Sequence, residues 1–397
     1  MLVRMLVQDG TLFTSYICFR SSFEKVIEMV ERRSDSREKE VWPASGRGQI
    51  PSLDGLRAVS IMIVFFSHAG LSQLIPGGFG VTVFFFLSGF LITMLLTREH
   101  ARTGGIAFGA FYLRRVLRLI PPLLLTIALG LGLVALGWAP GDMSFEATLA
   151  QVFFVYNYYS LLPGAEQNAV GFGVLWSLSV EEHFYLIWPV LFLLIARGRI
   201  GTAHLVGLLA AIVIWRFVRV LILNDGEWAI YISTDTRFDS LLYGCLLAIL
   251  MARGGLPDWL HRPQIFYAML GAGLAALLMS FLWSNPVFRS TLRYSLQGLA
   301  LMPIFFYAVT RSDHILFQFL NNRIMRRIGI YSYTLYLVHF VILNALWSMG
   351  YPREGLTITI VYAAVFSLLW AAIVYRFAEQ PLHGLRSRLH TQQPRAS

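Results

Sequence analysis

The sequence predicts an all-α polytopic membrane protein with about ten transmembrane helices and both termini in the cytoplasm. Three observations carry that prediction. First, hydrophobic residues fill 56% of the 397 positions and charged residues only 14%, with a mean hydropathy of +0.62. Soluble domains carry about 25% charged residues, so this composition excludes a water-soluble fold. Second, apolar runs long enough to cross a ~30 Å hydrocarbon core recur along the chain. Third, lysine and arginine are distributed unevenly between alternate connections, as orientation in a membrane requires.

The elements follow in order. Residues 1–50 differ from the rest: Glu31–Glu40 is dense in charge and Pro43–Pro51 is rich in Gly and Pro. They read as a cytoplasmic extension, either disordered or the product of a start assigned too early, with Met29 as a later start. The membrane domain is expected over 51–380. Its spans are read at 56–75, 79–96, 119–138, 174–196, 203–223, 237–253, 265–283, 291–310, 328–349 and 356–378. Residues 146–162 are apolar but interleaved with Asn, Tyr and Gln, and read as an interfacial or re-entrant segment. A cytoplasmic tail follows over 381–397.

Charge orients these spans. With the N-terminus inside, cytoplasmic segments hold 26 of the 32 Lys and Arg residues, and outer segments hold 4. The loop 139–173 has no basic residue and should face outward. The net charge of +10 is thereby explained by the bilayer as partner, and no nucleic acid is expected. Cys18 and Cys245 form no metal or redox spacing, and no metal is expected.

Polar residues within spans ask for a reason, because an ionisable group at mid-bilayer costs roughly 2.5 kcal/mol or more. Arg57 and His68 are eleven positions apart in the first span. In a helix that places them on one face, roughly 16 Å apart along the axis. The geometry suits an anion held at the cytoplasmic mouth and a base deep inside. Ser67 precedes His68 but points about 100° away, so a local Ser–His dyad is not expected. The run Trp176-Ser177-Leu178-Ser179-Val180-Glu181-Glu182 opens the fourth span. Either carboxylate, Glu181 or Glu182, can orient an imidazole or accept a proton; the plainer alternative is an ion pair with Arg216 or Arg219. Arg114, Arg115 and Arg118 enter the third span at i, i+3 and i, i+4 spacing. Guanidinium groups suit phosphates, although any such cluster also serves as a positive-inside anchor. Ser88-Gly89 permits close helix contact. Asp235, Arg237 and Asp239 open the sixth span, where they pair with one another or with Arg216. Tyr336 and His339, at i, i+3 in the ninth span, either line the same cavity as His68 or are structural.

Together these strings resemble acyltransferase family 3, the membrane O-acyltransferases of bacterial polysaccharides, lipids and some antibiotics. Six blocks carry the resemblance: Leu53-Asp54-Gly55-Leu56-Arg57-Ala58 ending in Ser67-His68; Gly80 through Phe84-Phe85-Phe86-Leu87-Ser88-Gly89; Phe111-Tyr112-Leu113-Arg114-Arg115 to Arg118; Trp176 to Glu182; Thr236 to Gly244, with Asp239; and Ser332 to His339. The resemblance implies that His68 is the catalytic histidine; Glu181 or Glu182 is then expected to orient that base or the acceptor. It implies that Arg57, Arg115 and Arg118, with Arg114 beside them, hold an acyl-CoA donor, most simply acetyl-CoA. Ser88, Trp176, Ser177, Asp239, Tyr336 and His339 fall in matching blocks and are expected to line the substrate site. The implied acceptor is a glycan or glycolipid and the implied location is the bacterial inner membrane. The chain stops about 20 residues after its last span, as in members without the esterase-like domain that others carry.

Two other readings stay open. Ten spans with buried charges also fit a transporter or flippase, against which stand the absence of a clear inverted repeat and the six ordered blocks. The same chemistry can also serve a small secondary metabolite such as a macrolide.

Overall fold

The computed structural model describes residues 50, 52–141, 144–165, 170–254, 256–353, 358–382 and 384. The expected extension before residue 50 and nearly all of the tail after 382 lie outside the described residues. Ten long helices occupy the ten predicted positions: α1 Leu53–Phe66, α2 Gly77–Thr103, α3 Phe108–Ala135, α4 Trp176–Ala196, α5 Thr202–Leu221, α6 Thr234–Ala252, α7 Pro263–Leu282, α8 Arg293–Thr310, α9 Arg323–Ser348 and α10 Ile358–Val374. No strand is present among the described residues. The apolar runs become helices because a chain in lipid must satisfy every backbone group within the segment.

Eight of the ten, α6 and α8 excepted, are long and apolar enough to cross a membrane, α1 being continued to Leu71, α4 preceded by a turn from Phe172 and α10 continued to Leu382. The protein is thus a multi-pass membrane protein. The two exceptions have a physical reason. The first turns of α6 hold Asp235, Arg237 and Asp239, and the helix is buried along nearly its whole length. It packs against α2, α4, α5 and α8, so its charges face protein rather than lipid. α8 starts at Arg293, holds Gln297 and Pro303, and also lies against α2, α6 and α7.

The α2–α6 contact is the most extensive in the bundle, and glycine makes it possible. A β-carbon at Gly89 would collide with the carbonyl of Leu241, and one at Gly244 with the carbonyl of Phe86. Two backbones meet where each helix lacks a side chain, which is how helices approach closely in lipid. On the other side of α2, α1 packs along α2 and α9, and α10 covers α9.

The segment expected at the interface contains two short helices, Phe145–Val152 and Tyr156–Tyr159. It is tied down by buried Asn157, whose amide donates to the Ile232 carbonyl at 3.3 Å and to Thr234 Oγ1 at 3.0 Å.

Candidate active site

α1 does not run straight to its end. After Phe66 it continues as a π-helical turn, Ser67–Leu71, in which Ala69 and Gly70 leave helical conformation. Gly70 has φ 102°, a left-handed setting that glycine adopts without steric cost. The break places His68 just beyond the C-terminal end of α1, against α9. There its Nδ1 lies 2.9 Å from Nε2 of His339, with the two rings nearly parallel at 9°. His68 is half-buried and His339 fully buried. The other nitrogen of His339, Nδ1, lies 2.8 Å from the Tyr336 carbonyl and 3.1 Å from the Leu335 carbonyl.

A cavity of about 130 Å³ lies between α1, α2, α3, α4 and α9. On α2 its lining runs from Val81 to Leu95, about 21 Å of helix at 1.5 Å per residue. It is therefore a narrow slot rather than a round pocket. One end is basic: Arg57, Arg115 and Arg118 all line it. Arg57 is held by Asp54 at 2.6 Å. Arg115 sits over the ring of Tyr185, 5.3 Å from its centroid, and its Nε is buried without a hydrogen-bond partner. Among the described residues, no carboxylate forms an ion pair with Arg115 or Arg118. Glu181 and Glu182 act on Arg115 through space, and Glu181 on Arg118, without touching them, so both guanidinium groups keep hydrogen-bonding capacity towards the cavity.

Midway along the slot, Glu181 accepts a hydrogen bond from Ser88 Oγ at 2.8 Å, and the Tyr185 hydroxyl stands 3.4 Å from its second oxygen. At the far end Ser177 and Tyr336 share a hydrogen bond of 2.6 Å. His339 follows Tyr336 by one turn of α9, with ring centroids 5.7 Å apart. The lining does not include His68; the histidine pair adjoins the slot through Tyr336.

The structure thus brings Arg57, Ser88, Arg115, Arg118, Ser177, Glu181 and Tyr336 onto one cavity, with His68 and His339 beside it. The other residues singled out from sequence stand off it. Arg114 pairs with Glu99 at 3.1 Å. Asp239 pairs with Arg216 at 2.7 Å and accepts from Ser295 at 2.6 Å. Trp176 packs on Tyr231, with centroids 4.7 Å apart. Glu182 leaves Oε1 buried without a hydrogen-bond partner. The alternative partners considered for the glutamates are taken elsewhere: Arg216 by Asp239, and Arg219 by Asp225 and Asp235. Tyr185 and Tyr333 also line the slot and were not singled out from sequence. Tyr185 was within reach of a spacing argument, since it lies at i+4 from Glu181. Tyr333 lies at i−3 from Tyr336 and donates to the Leu119 carbonyl at 2.8 Å. Among the described residues no cluster of three or more His, Cys, Asp or Glu side chains is arranged to hold a metal ion.

Comparison with known proteins finds relatives over most of the chain. The O-acetyltransferase OatA of Staphylococcus aureus strain NCTC 8325 / PS 47 is 30% identical over 354 residues, covering 84% of this chain and 57% of that protein. OatA of strain MRSA252 matches to the same extent. The chain therefore spans about 57% of the length of the curated relatives it matches. The family model described as Acyltransferase domain (Acyl_transf_3) matches residues 50–376, a stretch that contains every helix and side chain of the site. The chain belongs to that acyltransferase family.

Proposed function

We propose that this protein is an O-acetyltransferase of the bacterial inner membrane. It moves an acetyl group from cytoplasmic acetyl-CoA to a hydroxyl of a cell-surface glycan or glycolipid, with His68 as catalytic base. One observation carries the reading: a single slot leads from a basic end, where Arg115 and Arg118 form no ion pair, to the neighbourhood of the histidine pair. The names of the relatives, O-acetyltransferases, support the acetyl group. The glycan acceptor rests on the family resemblance and on the depth of His68 in its span.

The residues then divide the work. Arg57, Arg115 and Arg118 bind the donor's phosphates through charge-assisted hydrogen bonds. The pantetheine arm extends along the slot towards Ser177 and Tyr336. Glu181 is bonded to Ser88 rather than to a histidine. It holds an amide or hydroxyl hydrogen of a substrate, with Glu182 behind it. At the outer end His68 takes the proton from the acceptor hydroxyl as that oxygen attacks the thioester carbon. The carbon–sulfur bond breaks, and the leaving thiolate recovers the proton from His68. An acyl-histidine route would use the same nitrogen as nucleophile.

The experiment is transfer of label from radiolabelled acetyl-CoA into the glycan and lipid fractions of membranes carrying the chain. His68→Ala should lower incorporation by about 100-fold or more, the scale of a lost general base. Wild-type labelling by a well-expressed His68→Ala protein would overturn the proposal.

A further inference from the structure

We propose that His339 is a positioning residue: it fixes the tautomer of His68 so that Nε2 of His68 is the bare, reacting nitrogen. The inference rests on the reading of His68 as the reacting histidine. It starts from atoms that can only accept. Nδ1 of His339 faces two backbone carbonyls of its own helix, those of Tyr336 and Leu335. A carbonyl has no hydrogen to give, so Nδ1 of His339 carries one. A neutral imidazole has only one ring hydrogen. Nε2 of His339 is therefore an acceptor, and the 2.9 Å contact to His68 must be supplied by the Nδ1 hydrogen of His68. That leaves Nε2 of His68 with its lone pair exposed.

The neutral form follows from the surroundings. Among the described residues no carboxylate hydrogen-bonds to either ring, and the pair is packed by Phe65 and Phe340. An unpaired charge in such a setting is costly. The outcome differs from what His68 would do alone, because a free neutral imidazole prefers its hydrogen on Nε2. The helix carbonyls of α9 thus choose, through His339, which nitrogen of a side chain on α1 does chemistry. Nε2 is also the nitrogen farther from the backbone, and so the one a substrate reaches more easily.

The test is a set of substitutions chosen by hydrogen-bond direction, combined with a spectrum. His339→Leu removes the acceptor and should lower kcat about 10- to 100-fold with KM for acetyl-CoA within about twofold, the scale at which an outer partner acts on a metal-bound histidine. His339→Gln can donate to the carbonyls and accept from His68, and should recover most of that loss. His339→Lys donates only, drives the His68 hydrogen to Nε2, and should be at least as impaired as the leucine variant. Nitrogen-15 NMR of histidine-labelled wild-type protein in nanodiscs should show His68 with its hydrogen on Nδ1. A hydrogen on Nε2 of His68, undiminished kcat in His339→Leu, or equal loss in the leucine and glutamine variants would overturn the proposal. The spectrum reads the tautomer without turnover, so it separates this claim from the claim that His68 is the base, which His68→Ala tests on its own.

Discussion

At the scale of single residues, the site is a set of polar groups distinguished by whether they already have partners. Arg216 and Arg237 are both fully buried, yet neither is offered to a ligand. Arg216 is neutralised by Asp239. Arg237 is packed among the rings of Phe85, Trp176, Tyr231 and Tyr294, at 4.0 Å from the last. Arg115 and Arg118 line the slot with no carboxylate in ion-pair contact, and in the proposed function they are the donor's anchors. A hydrogen bond to a charged group contributes about 1.5–3 kcal/mol, and each 1.4 kcal/mol is tenfold in affinity. Arg118→Ala should therefore raise KM for acetyl-CoA about tenfold or more while kcat changes less, in initial-rate assays with the donor varied. An unchanged KM would place the phosphates elsewhere. Sequence spacing brought these arginines forward but did not separate Arg114 from its neighbours. Its turn towards Glu99 depends on where α2 ends, which no local pattern states. His68 and His339 illustrate the same limit. Each was visible as an odd polar residue in an apolar run, but their contact joins positions 271 apart in the chain.

At the scale of elements, hydropathy located all ten helices, because a helix in lipid must be apolar over a fixed length. It did not reveal that α6 is an interior helix. A buried helix and a lipid-facing one can carry similar apolar runs, and only packing tells them apart. What sets α6 in place is the pairing of Gly89 with Leu241 and of Gly244 with Phe86. Here backbone faces backbone, so an added side chain cannot be absorbed by a rotamer change. Overpacking typically costs 1–3 kcal/mol. Gly244→Val should lower the thermal unfolding midpoint in detergent and shift α2, taking Ser88 out of reach of Glu181. Gly271→Ala is the matched control: that glycine lies in α7 with nothing within 4 Å of an added β-carbon, and its midpoint should be unchanged or slightly raised. Equal behaviour of the two variants would show that the α2–α6 contact is less close than described.

At the scale of the whole molecule, the direction of the reaction depends on orientation. The basic end of the slot is built from the start of α1 and the first half of α3, each following a segment that carries arginine. Of the histidine pair, His68 follows the C-terminal end of α1 and His339 lies in the second half of α9. If the 26-to-4 imbalance of Lys and Arg orients the chain as such imbalances do, the basic end opens to the cytoplasm, where acetyl-CoA is made, and the histidines face the outer half. Reversing the chain would put the phosphate site on the side without donor, and the proposed function would fail with it. Single cysteines in a background of Cys18→Ser and Cys245→Ala decide the matter. Leu162→Cys, in the long loop between α3 and α4, should react with a membrane-impermeant maleimide on intact cells. Asp313→Cys, between α8 and α9, and Gln380→Cys, beyond α10, should react only after permeabilisation. All three positions are exposed on the protein surface, and labelling of each variant after detergent solubilisation shows that its reactivity in cells reports the side of the membrane rather than cover by lipid. The opposite pattern would turn the slot around and, with it, the assignment of donor and acceptor to its two ends.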